Sequence, residues 1–155
     1  MPSDISQFLS TLFSWYAVHK RTLPWRDLQG DDPVHRLYMI LVSEVMLQQT
    51  QVPRVRDMYK KFIQKFPTSF DLSQASNADV LVAWKGLGYN SRALRLRDAA
   101  RELQARDVSL IVEDDLRSLP GVGPYTAGAL RTFALGQPTA CIDTNIRRKI
   151  GRAHV

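Results

Sequence analysis

The chain is short of cysteine, of glutamate and of long apolar runs. Its single cysteine, Cys141, excludes an internal disulfide and any complete cysteine-ligated metal site, a usage that fits a reducing compartment. No apolar stretch approaches the roughly 20 residues that a membrane helix needs, and MPSDISQFLS at the start lacks the charged and apolar regions of a secretion signal. The expectation is a soluble, intracellular protein without a membrane partner. Strand-like alternation of apolar and polar residues is also missing, which argues against a sheet. Only three of the 155 residues are glutamate, so each of them calls for a reason.

Hydrophobic residues make up 45% of the chain, enough for one domain with a real core or two small lobes. Lysine and arginine number 21 against 15 acidic residues, a net charge of +6, and 15 of the 21 are arginine. Arginine forks onto phosphate better than any other side chain, so a polyanionic partner is a natural reading. Apolar residues recur at helical spacing almost throughout, as in Ile5, Phe8, Leu9, Leu12, Phe13 and Tyr16, or Val55, Met58, Tyr59, Phe62 and Phe66. Asp32 before Pro33, Pro53, and a capping box of Ser76 with Asp79 mark helix starts. The pattern predicts an all-α chain of about seven or eight short helices. The segment LPWRDLQGDDP, Leu23 to Pro33, reads as a loop after a first helix from Ile5 to His19.

Four places could carry chemistry. The stretch LPGVG, Leu119 to Gly123, packs two glycines and a proline ahead of another proline and a run of helix formers. It predicts a tight hairpin whose free N–H groups, beside the positive end of a helix dipole, suit one anionic group; a plain helix-to-helix turn is the competing reading. Glu44 lies on an apolar stripe formed by Leu37, Ile40, Leu41 and Leu47. Burial there raises a carboxyl pKa, which suits a group that hands over a proton near neutral pH, while an arginine partner would make it structural. Asp143, in ACIDTNIRRKIGR, is placed to cap a final basic helix from Thr144 to Arg152. With Glu44 it could also form the acid and ionised pair that glycosidic cleavage uses. Gln48-Gln49 and Leu87-Gly88-Tyr89 offer base-edge contacts and a wedge, against a plain reading of solvent-facing helix for the glutamines and core for Leu87 and Tyr89. Arg92, Arg95, Arg97, Arg101 and Arg106, interleaved with Asp98 and Glu102, read as the solvated face of a helix.

Taken together, LPWR at 23–26, SEVMLQQTQV at 43–52, WKGLGYNSRA at 84–93, LPGVGPYTAGAL at 119–130 and DTNIRR at 143–148 closely resemble the adenine DNA glycosylases of the MutY type, within the helix-hairpin-helix glycosylase superfamily. The resemblance runs from about Phe13 to Gly151. It implies an all-α helix-hairpin-helix DNA glycosylase core that removes adenine mispaired with 8-oxoguanine or guanine in double-stranded DNA. Glu44 matches the residue that protonates adenine, Asp143 the one that stabilises the sugar cation, and Asn145 the one that holds that aspartate. Arg26 matches a pocket residue, Gln48 lies in the MLQQT string, Gln49 and Tyr89 match wedges, and Thr50 and Leu87 match contacts to the base opposite. Leu119, Gly121, Val122, Gly123 and Thr126 would belong to the phosphate-binding hairpin. Tyr125 stands where strand-cutting relatives of the endonuclease III type carry a lysine, which implies base removal without strand cleavage. Mismatch thymine glycosylases share that tyrosine, and the MLQQT string favours adenine.

The resemblance also implies an organisation: 1–22 as the N-terminal helix of a second lobe, 23–136 as the core with its hairpin motif at about 113–136, and 137–155 as the aspartate loop and the start of the C-terminal lobe. Members of the family usually carry a [4Fe-4S] cluster in that lobe. Its ligands would have to lie beyond Val155, so the second lobe is expected to be incomplete, with no cofactor held within these residues. An apolar face on the first helix should then lie open, with self-association or a missing C-terminal segment as companions. A non-catalytic DNA-binding remnant and a helical interaction module are the competing functions, and a cytoplasmic location, on the nucleoid in a bacterium, goes with the enzyme.

Overall fold

The computed structural model describes residues 2–26, 28, 32–106 and 116–153, and among these there is no strand. Helix α1 spans Pro2–His19, α2 Pro33–Leu47, α3 Val52–Lys65, α4 Ser69–Gln74, α5 Asn77–Trp84 and α6 Ser91–Gln104. A 3-10 turn, Leu116–Ser118, leads into the LPGVG stretch, then α7, Pro124–Ala129, a π turn at Leu130–Ala134 and α8, Thr144–Ala153. The expected start of the hairpin motif near residue 113 falls at 107–115, outside the described residues.

Helix α2 is the hub, packed on α3, α6, α7 and the π turn. Leu37, Leu41, Val42 and Met46 are wholly buried along it, because a helix surrounded by others must be apolar on more than one face. Its start is set by Asp32, which accepts the Val34 amide at 3.0 Å ahead of Pro33. Two tyrosines enter this core with their hydroxyls satisfied: Tyr38 donates to the Phe66 carbonyl at 2.7 Å and Tyr59 to the Met39 carbonyl at 3.2 Å. Burial pushes both phenols well above their ordinary pKa.

Several expectations change on contact with the structure. Helix α1 begins at Pro2, three residues before Ile5, and leaves Ile5, Phe8, Phe13 and Val18 exposed, as an open apolar face requires. Ser76 caps α5 by accepting the Asp79 amide at 3.1 Å, but Asp79 takes the Ser76 hydroxyl instead of its amide. The reciprocal capping box is formed by Thr68 and Asp71 at the start of α4. Gln48 is not on a solvent-facing helix; it ends α2 and is half-buried. The arginine-rich α6 is not a solvated face either. It buries Arg92 and Arg97 together with Leu96, Ala99, Ala100 and Leu103, packing against α2, α4 and α5, while Arg95 and Arg101 stay exposed.

Candidate active site

A cavity of about 560 Å³ opens between the end of α1, the segment after it, one face of α2, Tyr125 and Phe133. Glu44 projects into it from α2, and Lys20, Arg21, Arg26 and Arg36 also line it, so among the described lining residues one carboxylate stands with four cationic side chains. Ile40 and Leu47 flank Glu44 on the same helix face and Trp25 and Leu28 close the wall. Burial raises the Glu44 carboxyl above the ordinary glutamate range, and nearby Arg26 pulls it partly back. Among the described residues no ion pair involves Glu44, so the Arg26 charge acts on it without a direct bridge.

Tyr125 stands on the first turn of α7 and shares the cavity. Its phenol is pushed up to about 12, first by burial and then by the charges of Glu44, Cys141 and Asp143. Both Glu44 and Asp143 thus lie within electrostatic reach of one hydroxyl, a proximity that sequence spacing cannot supply. Asp143 lies outside the cavity wall itself, at the mouth of α8. One of its oxygens accepts the Ile146 amide at 2.7 Å and the other the Asn145 side-chain amide at 3.3 Å, so it is at once an N-cap and a carboxylate held in place by Asn145. The segment before it is pinned by Thr132, which donates to the Thr139 carbonyl at 2.7 Å. Gly128 adds to this, since a Cβ there would meet the Ala140 carbonyl oxygen at 3.1 Å.

The LPGVG hairpin forms as expected. The Val122 amide closes onto Leu119 at 3.1 Å and the Leu119 amide onto Leu116 at 3.2 Å, so those two donors are used inside the turn. Gly121 and Gly123, and Tyr125 and Thr126 in the first turn of α7, have no backbone acceptor among the described residues. Leu119, Val122 and Thr126 bury their side chains, and exposed Gly121 and Gly123 present bare backbone beside Pro124 and Tyr125. Gly121 sits at φ +80 with Arg95 Cβ 3.2 Å from where its own Cβ would be.

The remaining candidates gather on two turns. Gln49 is exposed at φ 57, and Tyr89 is exposed at φ 48 between Gly88 and Asn90. Thr50 is half-buried, its amide turned back to Leu47 at 3.4 Å. Leu87 takes the core reading, at 5% exposure. Arg92 lies beneath both turns and is a residue that reading the sequence missed; the only signal available was its place three residues after Tyr89.

The sequence profile of the HhH-GPD superfamily of base excision DNA repair proteins matches residues 42–155, and the chain belongs to this family. At the level of individual proteins, it is 43% identical to a mouse (Mus musculus) protein named adenine DNA glycosylase over 97% of this chain and 30% of that one. The chain thus spans under a third of that relative's length. Among solved structures it is similar to a thermostable thymine-DNA glycosylase, with a TM-score of 0.78 and 30% identity over 94% of this chain and 65% of that one. An endonuclease III trapped on DNA shares the fold, at a TM-score of 0.71 and 20% identity over 96% of this chain and 67% of that one.

The cluster implied by the resemblance does not fit the residues present. A [4Fe-4S] cluster takes four thiolates and the chain has one, Cys141, whose sulfur lies 3.5 Å from the Thr132 hydroxyl. Among the described residues no group of three or more His, Cys, Asp or Glu is placed to hold a metal ion.

The raised Glu44 pKa is also a statement about stability. Between the ordinary glutamate range and the higher folded-state value, the folded protein holds the proton more tightly than the unfolded chain, so stability falls as pH rises through that window. Glu44→Gln removes the ionised form. Urea melts are expected to find the variant more stable than the wild type at pH 7, with the gap closing below pH 4; equal stability at both pH values would contradict a desolvated Glu44.

Proposed function

We propose that this chain is the core of a monofunctional adenine DNA glycosylase that extrudes adenine mispaired with 8-oxoguanine or guanine and hydrolyses its N-glycosidic bond. The observation that carries the reading is Glu44: a half-buried carboxyl with a raised pKa, unpaired among the described residues, in a cavity large enough for a base and ringed by cations. Glu44 gives its proton to the adenine ring. The glycosidic bond then breaks with its electron pair leaving on the base, Asp143 stabilises the sugar cation, water adds to the anomeric carbon, and the released proton goes to solvent. Asn145 holds Asp143 for that task, and Arg26 lines the cavity near Glu44. Tyr125, having no amine, cannot form a Schiff base with the sugar, so the product is an abasic site in an intact strand. Gln49 and Tyr89 wedge into the duplex, with Thr50 beside them facing the opposite base and Gln48 offering a base-edge contact, while the buried Leu87 side chain supports the Tyr89 turn from beneath.

The test is single-turnover base release from duplexes carrying adenine opposite 8-oxoguanine, adenine opposite guanine, or thymine opposite guanine. Free adenine with an uncut strand is the expected result. Thymine release in preference to adenine would favour the second reading, a mismatch thymine glycosylase, which the likeness to the thymine-DNA glycosylase supports.

In this reading the hairpin amides of Gly121, Gly123 and Thr126 hold one DNA phosphate. Gly121→Ala forces a side chain into a left-handed backbone and against Arg95, a strain of about 1–3 kcal/mol. Duplex affinity is expected to fall about tenfold or more, similarly for matched and mismatched DNA, because a phosphate contact carries no sequence information. Fluorescence anisotropy at two salt concentrations measures it.

A further inference from the structure

The guanidinium of Arg92 bridges two turns that lie some forty residues apart in the chain. Nη1 donates to the carbonyls of Val45 at 2.9 Å and Met46 at 3.5 Å, and to that of Gln48. Nη2 donates to the Leu87 carbonyl at 2.9 Å, the Gly88 carbonyl at 3.2 Å and the Thr50 hydroxyl at 3.5 Å. Val45, Met46 and Gln48 end α2; Leu87 and Gly88 follow the end of α5. Helix ends carry orphan carbonyls and negative partial charge, so one buried cation at the second position of α6 serves as the C-terminal cap of α2 while it also holds the carbonyls of the turn that follows α5.

Arg92 is 9% exposed, among the described residues none of its acceptors is a carboxylate, and its guanidinium carbon sits 5.6 Å from both the Trp84 and Tyr89 ring centroids. Lysine could not replace it, since one ammonium cannot serve both carbonyl sets as a flat fork does. The two turns it joins hold Gln49 and Tyr89, the non-glycine residues with positive φ among those described. Left-handed backbone at such residues is sparsely populated and persists only where surrounding contacts over-determine it.

We propose that Arg92 is a positioning residue that locks the Gln48–Thr50 and Gly86–Tyr89 turns into a single unit, so that Gln49 and Tyr89 meet the duplex at a fixed spacing. The locking rests on geometry; its use on DNA rests on the wedge reading of Gln49 and Tyr89 given above. A wedge that unstacks a base step must push back against stacking from both sides, and two independently mobile turns would yield instead.

The test has two parts. Hydrogen exchange follows the amides of Thr50 and Leu87, which bond to Leu47 and Trp84 inside the two turns. In the wild-type chain under a denaturant series they are expected to open together, and in Arg92→Lys both are expected to exchange at least about tenfold faster, as losing a charged hydrogen bond on each side implies. Arg97→Lys, another buried arginine of α6, is expected to leave both amides unchanged. Separate opening in the wild type, or faster exchange of only one amide in Arg92→Lys, would overturn the locking. The wild-type half of this measurement stands even if the variant fails to fold.

The second part places a fluorescent base analogue beside the mispaired adenine. Arg92→Lys is expected to lose most of the unstacking signal and about tenfold in single-turnover rate, with duplex affinity changed less than about threefold. Unstacking that survives at full strength in a variant whose two turns have come apart would overturn the positioning role. A wild-type chain that binds duplex and never unstacks it, with the two amides still opening together, would sink the wedge reading while leaving the lock in place.

Discussion

Glutamine in place of Glu44 is expected to slow adenine release by about 10²- to 10⁴-fold, the range that removing a positioned general acid produces. The substitution keeps shape and hydrogen-bonding capacity and removes only the transferable proton. Because Glu44 reaches the cavity from α2, which is held by α3, α6, α7 and the π turn, the change should leave the fold and duplex affinity intact. The loss should therefore fall on the chemical step and not on binding, which single-turnover rates at saturating enzyme separate from anisotropy. A variant that releases adenine within about threefold of the wild type would remove Glu44 from the mechanism.

The largest effect on stability is expected at Trp84. It is fully buried, meets Phe62 edge-on at 5.9 Å, and donates from its indole nitrogen to the Gly88 carbonyl at 3.0 Å. The Arg92 guanidinium also lies over its ring. Trp84→Ala leaves a cavity in the contact of α3 with α5 and strips the floor from the turn that carries Tyr89. The cost is about 3–5 kcal/mol, a large share of the roughly 5–15 kcal/mol that holds a domain folded. A urea midpoint shifted by that amount with an unchanged slope checks it, while a loss below about 1 kcal/mol would mean that Trp84 is not the packing centre described.

What could be seen in the sequence, and what could not, divides along physical lines. The helix carrying Glu44, the caps at Asp32, Ser76 and Asp143, and the LPGVG turn were open to reading because each depends on residues within a few positions of one another. Helical periodicity put Glu44 on an apolar stripe, and glycine with proline announced the turn at φ +80. The walls of the cavity could not be read, since Tyr16, Leu28 and Phe133 come from separate segments that only the fold brings together. The Thr68–Asp71 box has the same spacing and the same acid as Ser76 with Asp79, and which of the two closes reciprocally is set by backbone geometry that no sequence pattern marks. Arg92 misled for a deeper reason. A run of arginines with interleaved acids reads as solvated, and the acceptors that bury this one are backbone carbonyls, which every residue carries and no sequence pattern marks.

Membership in the base excision repair family follows from the match over 42–155; the proposed acid chemistry rests on the cavity around Glu44, and the choice of adenine on the likeness to proteins named adenine DNA glycosylase. The measurement that bears on it most directly is the pH dependence of single-turnover adenine release from a duplex with adenine opposite 8-oxoguanine, taken for the wild type and Glu44→Gln. If protonated Glu44 is the acid, the wild-type rate is high at low pH and falls as pH rises through a value above the ordinary glutamate range, and the variant lacks that limb. A wild-type profile without such a limb, or one that Glu44→Gln leaves unchanged, would contradict the account.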